Sequence, residues 1–194
     1  SEFVDRAMST VQKNLIEGAL IVILVLVLFL GNIRSGLIVA SVIPLAMLFA
    51  VALMKVFGVS GNLMSLGAID FGLIVDGAVI IVEATMHHMR KLKTGKISQA
   101  EMDIQVSGSA KKMMNSAAFG QLIILIVYLP ILALVGIEGK MFRPMAQTVS
   151  FAIFGALILS LTYVPMISSL LLSKNITHKK NFSDKMMEKF QRIY

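Results

Sequence analysis

The sequence predicts an all-α fold: a polytopic membrane helix bundle of five spans, followed by an amphipathic helix at the membrane surface. Composition and the grouping of the apolar residues carry this prediction. The 194 residues are 57% hydrophobic and only 15% charged, against about 25% charged for an ordinary soluble domain, and the mean hydropathy is +0.83. Nothing charged occurs between Glu17 and Arg34, between Arg34 and Lys55, between Lys112 and Glu138, or between Arg143 and Lys174. A helix rises about 1.5 Å per residue, so about 20 apolar residues cross a hydrocarbon core about 30 Å thick. Each charge-free block is near or beyond that length, which excludes a water-soluble globule.

The first span is expected over residues 15–30. Asn32-Ile33-Arg34-Ser35 is just long enough to turn the chain into a second span over 36–57, so these two should form an antiparallel hairpin. Gly58-Val59-Ser60-Gly61-Asn62 has turn chemistry, and a third span follows over 63–86. A polar stretch from His87 to about Ser116 comes next. Within it Ser98 and Glu101 have capping-box spacing, which predicts a short helix starting at about Gln99. The fourth span is expected over 117–134, a turn at Gly136-Ile137-Glu138-Gly139, and the fifth span over 145–172. In the basic tail, 173–194, Phe182, Met186, Phe190 and Ile193 recur at helical spacing with Lys185, Lys189 and Arg192 elsewhere around the turn. That pattern suits a helix lying in the membrane interface, with lipid as its partner. Pro44, Pro130 and Pro165 fall inside or near the ends of apolar runs, where each removes a backbone donor and favours a kink.

Thirteen of the 18 Lys and Arg residues fall in connections on one side of this topology, among them Arg34, Arg90, Lys111, Lys112 and the tail bases. That side is expected to be cytoplasmic, which puts the N-terminus outside and the tail inside. Ser1 stands where an initiator Met would, and the first residues lack the pattern of a signal peptide. The chain is therefore expected to be a piece of a longer protein. There is no Cys, so disulfides and thiolate metal sites are excluded. The pI is about 9.8, but the bases adjoin membrane segments, where anionic lipid accounts for them, and no nucleic-acid partner is expected.

The third span alone carries charge in its interior: Asp70, Asp76 and Glu83. A charged side chain near the bilayer centre costs roughly 2.5–3.5 kcal/mol, so three ionised ones would cost on the order of 8–10 kcal/mol. At about 100° per residue Asp76 and Glu83 share one helix face, about 10 Å apart along the axis, and Asp70 lies about 120° round from Asp76. Ala68, Gly72, Gly77 and Ala84 would let another helix approach closely, so the acids are expected to face protein. No Lys or Arg lies inside any span away from its ends. Either burial keeps the acids protonated, or their positive partner lies on chain outside this sequence. Both solutions fit a proton relay, with protons as the coupling ion and no bound cofactor.

At this span the chain resembles the resistance-nodulation-division (RND) superfamily of proton-driven exporters, and within it the heavy-metal efflux branch. The run Asp70-Phe71-Gly72-Leu73-Ile74-Val75-Asp76-Gly77-Ala78-Val79-Ile80-Ile81-Val82-Glu83 is similar to that branch's fourth-helix signature. Asn14-Leu15-Ile16-Glu17-Gly18-Ala19, Phe29-Leu30-Gly31-Asn32, Tyr128-Leu129-Pro130-Ile131 and Gly136 through Ala146 agree as well, so the match runs from about Val11 to Leu172. The resemblance implies that the five spans are helices two to six of a twelve-helix inner-membrane pump and that the tail joins its two halves. It implies coupling roles for Asp70, Asp76 and Glu83. It also implies a homotrimeric full-length protein working with a periplasmic adaptor and an outer-membrane channel. Having the first acid as well as the other two resembles the divalent-ion pumps (zinc, cobalt, nickel, cadmium) more than the copper and silver pumps. The stretch Val106–Gln121 departs from the family pattern, and Ala84 stands where Asn is common.

His87, His88 and Met141 are the weak candidates for contact with a metal ion. Adjacent helical residues point about 100° apart and a third ligand is lacking nearby, so an interfacial role is expected for the histidines. The fourteen Met residues are scattered, as gap-filling packing would have them. No nucleophile–base pair or phosphate loop is present, so no enzyme activity is expected. Two other classes compete with the pump segment. One is a five-helix sterol-sensing module, against which the three carboxylates argue; the other is an inert truncation product.

Overall fold

The computed structural model describes residues 2–61, 69–90, 95–96, 98–172 and 175–176. Over these residues the chain is built from helices: α1 (Glu2–Leu30), α2 (Ile33–Ala40), α3 (Val42–Phe57), α4 (Phe71–Arg90), α5 (Gln99–Leu132), α6 (Gly136–Leu161) and α7 (Tyr163–Leu171). The all-α class holds. The one sheet pairing among the described residues is a two-residue antiparallel contact, Gly95–Lys96 with Asn175–Ile176. Four stretches are long and apolar enough to cross a membrane, at 33–57, 71–89, 99–132 and 136–161, and Leu15–Leu30 is a shorter apolar helix.

The turns are tighter than the sequence suggests. Gly31 takes φ 62°, which glycine adopts without steric cost, and Asn32 caps α2 by accepting a hydrogen bond from the Arg34 N–H at 3.0 Å. The α1–α2 turn is thus Gly31-Asn32, and Ile33 to Ser35 already belong to α2. Gly58 ends α3 in the left-handed conformation, as helix C-termini commonly require. The turn expected at Gly136–Gly139 lies instead at Ala133-Leu134-Val135, and those glycines form the first turn of α6.

Two expected spans are each broken once. The second span divides at Ser41 into α2 and α3, and the fifth divides at Thr162 into α6 and α7. The cause is local: α2 ends at Ala40 and α6 at Leu161, each four residues before a proline, Pro44 or Pro165. Proline has no N–H to offer the carbonyl four residues back and its ring crowds that carbonyl. Hydroxyls stabilise the breaks by donating to carbonyls there, Ser41 Oγ to Ile38 O at 2.6 Å and Thr162 Oγ1 to Ile158 O at 2.6 Å. By contrast, α5 continues past Pro130 to Leu132, and α6 runs through Pro144.

The helix predicted at Gln99 exists and begins with a full capping box. Ser98 accepts from the Glu101 N–H, and Glu101 Oε2 accepts from the Ser98 N–H at 2.8 Å. It is not a separate short helix, because it runs unbroken into the fourth apolar stretch as α5, 34 residues in all. That is about 51 Å at 1.5 Å per residue, well beyond an apolar core about 30 Å thick.

α4 is the centre of the bundle, touching all six other helices described. Small residues bring the helices around it close: Ala46 and Ala50 on α3, Ala78 on α4, and Ala152 and Ala156 on α6 are all within 1% of full burial. Such residues let helix backbones approach where no hydrophobic force from water is available. At Gly155 a Cβ would stand 2.5 Å from Phe49 Cδ1, so the ring fills the place of a side chain. Phe57 and Phe151 stack 5.5 Å apart farther along the same interface. The outward side of α5 stays apolar and exposed at Phe119, Ile123, Ile126 and Val127, as a lipid-facing surface requires. Residues 173–194 lie outside the described residues, apart from the Asn175–Ile176 pairing, and with them the expected interfacial helix.

Candidate functional site

The exposed arc of α4 is narrow and acidic. Its buried residues, Phe71, Ile74, Val75, Gly77, Ala78, Ile81, Val82, Thr85 and Met89, occupy an arc from about 100° on one side of Asp76, through the opposite face, to about 100° on the other at 100° per residue. Gly72, Asp76, Glu83 and His87 are exposed and fall within about 40° of Asp76. Asp76 is at the middle of that arc, Glu83 is about 10 Å along the axis, and His87 follows one turn later. His87 was separable from His88 by spacing alone, since it stands four residues after Glu83 on the same stripe. His88 turns aside and bonds Gln105 on α5, 2.7 Å between Nε2 and Oε1.

Asp76 and Glu83 do share one face, but the described helices leave both exposed. Among the described residues neither acid has an ion pair or hydrogen-bond partner. The expectation that both face protein is therefore not met among the described residues. The reason is the distribution of small residues: Gly77 and Ala78 lie on the packed side of α4, and close helix approach occurs there.

Asp70 differs from the expectation more sharply. It precedes α4 instead of lying within it, and its Oδ1 accepts the Gly72 N–H at 2.8 Å. An aspartate here satisfies one of the free N–H groups of the first turn and sets negative charge at the positive end of the helix. The 120° offset from Asp76 has no meaning for a residue off the helix. Ala68 and the rest of 62–68 lie outside the described residues.

Sequence reasoning centred on charge passed over the polar contact behind Asp76. Gln121 of α5 and Ser160 of α6 are both fully buried, and they close on Gly77. A Cβ there would lie 2.9 Å from Gln121 Cδ and Oε1 and 3.0 Å from Ser160 Oγ. Ser160 Oγ donates to Leu157 O at 2.9 Å and reaches Gln121 Oε1 only at 3.4 Å. The signal was present in the sequence, since Gln121 is a polar exception in the run Ala117–Leu134.

No group of three or more His, Cys, Asp or Glu among the described residues is placed to hold a metal ion. Met141 is 47% exposed in the second turn of α6. Two other methionine sulfurs, Met86 Sδ and Met54 Sδ, accept hydroxyl hydrogen bonds from Ser35 at 2.8 Å and Thr148 at 3.5 Å, which is packing chemistry.

Residues 1–194 match the AcrB/AcrD/AcrF family. The chain belongs to that family. This membership agrees with the resemblance to the RND exporters. Among relatives of the AcrB/AcrD/AcrF family, the cobalt-zinc-cadmium resistance protein CzcA of Cupriavidus metallidurans is 51% identical over 189 residues, covering 93% of this chain and 17% of that protein. The nickel and cobalt resistance protein CnrA of the same organism is 46% identical over 179 residues, covering 91% of this chain and 17% of that protein. A crystal structure of a heavy metal efflux pump superposes with a TM-score of 0.75 at 42% identity, covering 88% of this chain and 16% of the pump. The chain thus spans about one sixth of the length of these family members.

Proposed function

We propose that this chain is the part of a proton-driven heavy-metal efflux pump of the bacterial inner membrane that contains the proton relay. The observation that carries the reading is the position of Asp76 and Glu83, on the exposed arc of the central helix, whose other residues from Phe71 to Val82 are apolar. An ionised carboxylate left against lipid costs roughly 2.5–3.5 kcal/mol, so this arc needs a polar or cationic cover. Relatives about six times as long as this chain have ample polypeptide to supply it. Under such a cover a carboxylate alternates between two states, ionised with its partner and protonated without it. Each state favours a different seating of α4.

The relay is assigned to Asp76 and Glu83, with Asp70 as an auxiliary group that also caps the helix. The N-terminus is placed on the periplasmic side and the tail on the cytoplasmic side. The Gly95–Lys96 pairing with Asn175–Ile176 and the bond from Gln99 Nε2 to Ser169 O at 3.1 Å support this, since they bring together a described part of each of the two basic stretches of the sequence. Divalent cations are proposed as the cargo, by analogy with the relatives named for cobalt, zinc, cadmium and nickel. As in the family it resembles, the complete pump is proposed to act as a trimer with a periplasmic adaptor and an outer-membrane channel.

Asp76→Asn in the full-length pump tests the reading. Metal resistance should be abolished with the membrane level of the protein unchanged, and retained resistance overturns the relay.

A further inference from the structure

Gln121 has an unused capacity. Its side chain is fully buried, and its Nε2 has no hydrogen-bond partner among the described residues. A buried amide donor left unpaired costs about 1–3 kcal/mol, so in native proteins such a group calls for an explanation. Among the described residues Ser168 Oγ on α7 is the other buried side-chain atom with no partner, whereas the hydroxyls nearer Gly77 are satisfied: Thr85 Oγ1 donates to Ile81 O at 2.8 Å and Ser160 Oγ to Leu157 O at 2.9 Å.

The position of the amide suggests what it is for. It lies on Gly77, with Cδ and Oε1 each 2.9 Å from where a Cβ would be. Gly77 is about 100° round from Asp76, at the edge where the buried arc of α4 meets the exposed one. Any side chain at 77 would occupy the space taken by the amide, beside the acid. With glycine there, the amide itself fills the space, its Oε1 against Gly77 and its Nε2 left without a partner among the described residues. The carboxylate one residue away is the acceptor that the chain places beside this edge, and it too has no partner among the described residues.

We propose that Gln121 is a positioning residue for Asp76: its buried amide N–H is the donor that receives the ionised Asp76 carboxylate when α4 moves against α5, and Gly77 is the gap through which the two meet. A hydrogen bond to an ionised acceptor is roughly twice as strong as a neutral one. The amide thus favours the ionised seating of α4 and has no comparable partner in the protonated one. This rests on the relay reading above and adds to it a group that carries no charge itself.

The test uses the full-length pump, purified and reconstituted, with the Asp76 carboxylate stretch identified in infrared difference spectra as the band lost in Asp76→Asn. Gln121→Met keeps the length and volume of the side chain and removes the N–H. The expected result is a shifted Asp76 band and a turnover at least tenfold lower, with the apparent affinity for the metal within twofold of wild type. An unmoved Asp76 band in a folded Gln121→Met pump overturns the proposal, whatever happens to turnover. Should that variant fail to reach the membrane, Gln121→Glu replaces the donor with an acceptor at equal length and is expected to displace the band further; an unmoved band overturns the proposal equally. If Asp76→Asn itself transports normally, the relay reading is what fails.

Discussion

Ser41 Oγ and Tyr163 OH lie 3.1 Å apart, 122 residues apart in sequence, and join the two places where an expected span breaks. Ser41 is the residue between α2 and α3, and Tyr163 opens α7 immediately after the break at Thr162. The prolines that cause the breaks are far apart in the chain, yet the broken ends meet. A part-buried hydrogen bond of this kind contributes about 0.5–1.5 kcal/mol. Tyr163→Phe and Ser41→Ala are each expected to lower the thermal stability of the full-length protein by about that amount, and the double variant by no more than the larger single effect. Additive losses in a thermal-denaturation cycle would show that the two residues act independently.

Close packing of α3 on α6 depends on the missing side chain at residue 155. A Cβ there would meet Phe49 Cδ1 at 2.5 Å and Cγ at 2.9 Å, and overpacking of this kind costs about 1–3 kcal/mol. Gly155→Ala should therefore destabilise the protein. Gly108→Ala on α5 meets nothing within 4 Å and should stabilise it by up to about 1 kcal/mol, the difference in helix propensity. Paired melting curves of the two variants, moving in opposite directions, check this.

Asp70 as a helix cap makes a prediction that a purely proton-carrying Asp70 does not. Asn caps about as well as Asp, whereas Ala costs about 1 kcal/mol. Asp70→Asn should keep wild-type stability and Asp70→Ala should lose it, measured by thermal unfolding. Equal losses in both would remove the cap as its structural role.

The capping box at the start of α5 is sensitive to pH in a stated direction. The Ser98 backbone N–H, and secondly its hydroxyl, bond the Glu101 carboxylate and hold it below the usual carboxylate range. A group whose value is lowered on folding stabilises the fold above its unfolded value, and that contribution is lost as pH falls through the lowered one. Amide exchange in the first turn of α5 should be slower in the wild type than in Glu101→Gln at neutral pH. The two should converge in acid, and a difference that persists there would contradict the assignment.

Much of the architecture was readable along the chain, because the signals are local. The charge-free blocks mark apolar helices, Gly58 marks a helix end, and Ser98 with Glu101 marks a helix start, each through bonds made within a turn or two. The structure departs from those local signals where longer-range continuity decides. The short helix at Gln99 and the fourth span are one helix, since nothing between Lys111 and Ala117 interrupts the backbone hydrogen bonds. The polarity of that stretch does not mark a boundary, because a helix can leave the membrane without ending.

The angular relation of Asp76 to Glu83 follows from 3.6 residues per turn, and the sequence by itself determined it, together with the apolar helices and their order. What the periodicity of one helix cannot contain is the direction in which its arcs point, because that depends on which neighbours pack and how closely. Only the tertiary structure placed Gly77 against Gln121 and Ser160 and so turned the acids to the exposed side. It also put Asp70 ahead of the helix as its cap, and it brought the breaks at Ser41 and Thr162 together. Apart from the Asp70 cap, which is a bond to Gly72 two residues on, these features rest on contacts between residues tens of positions apart.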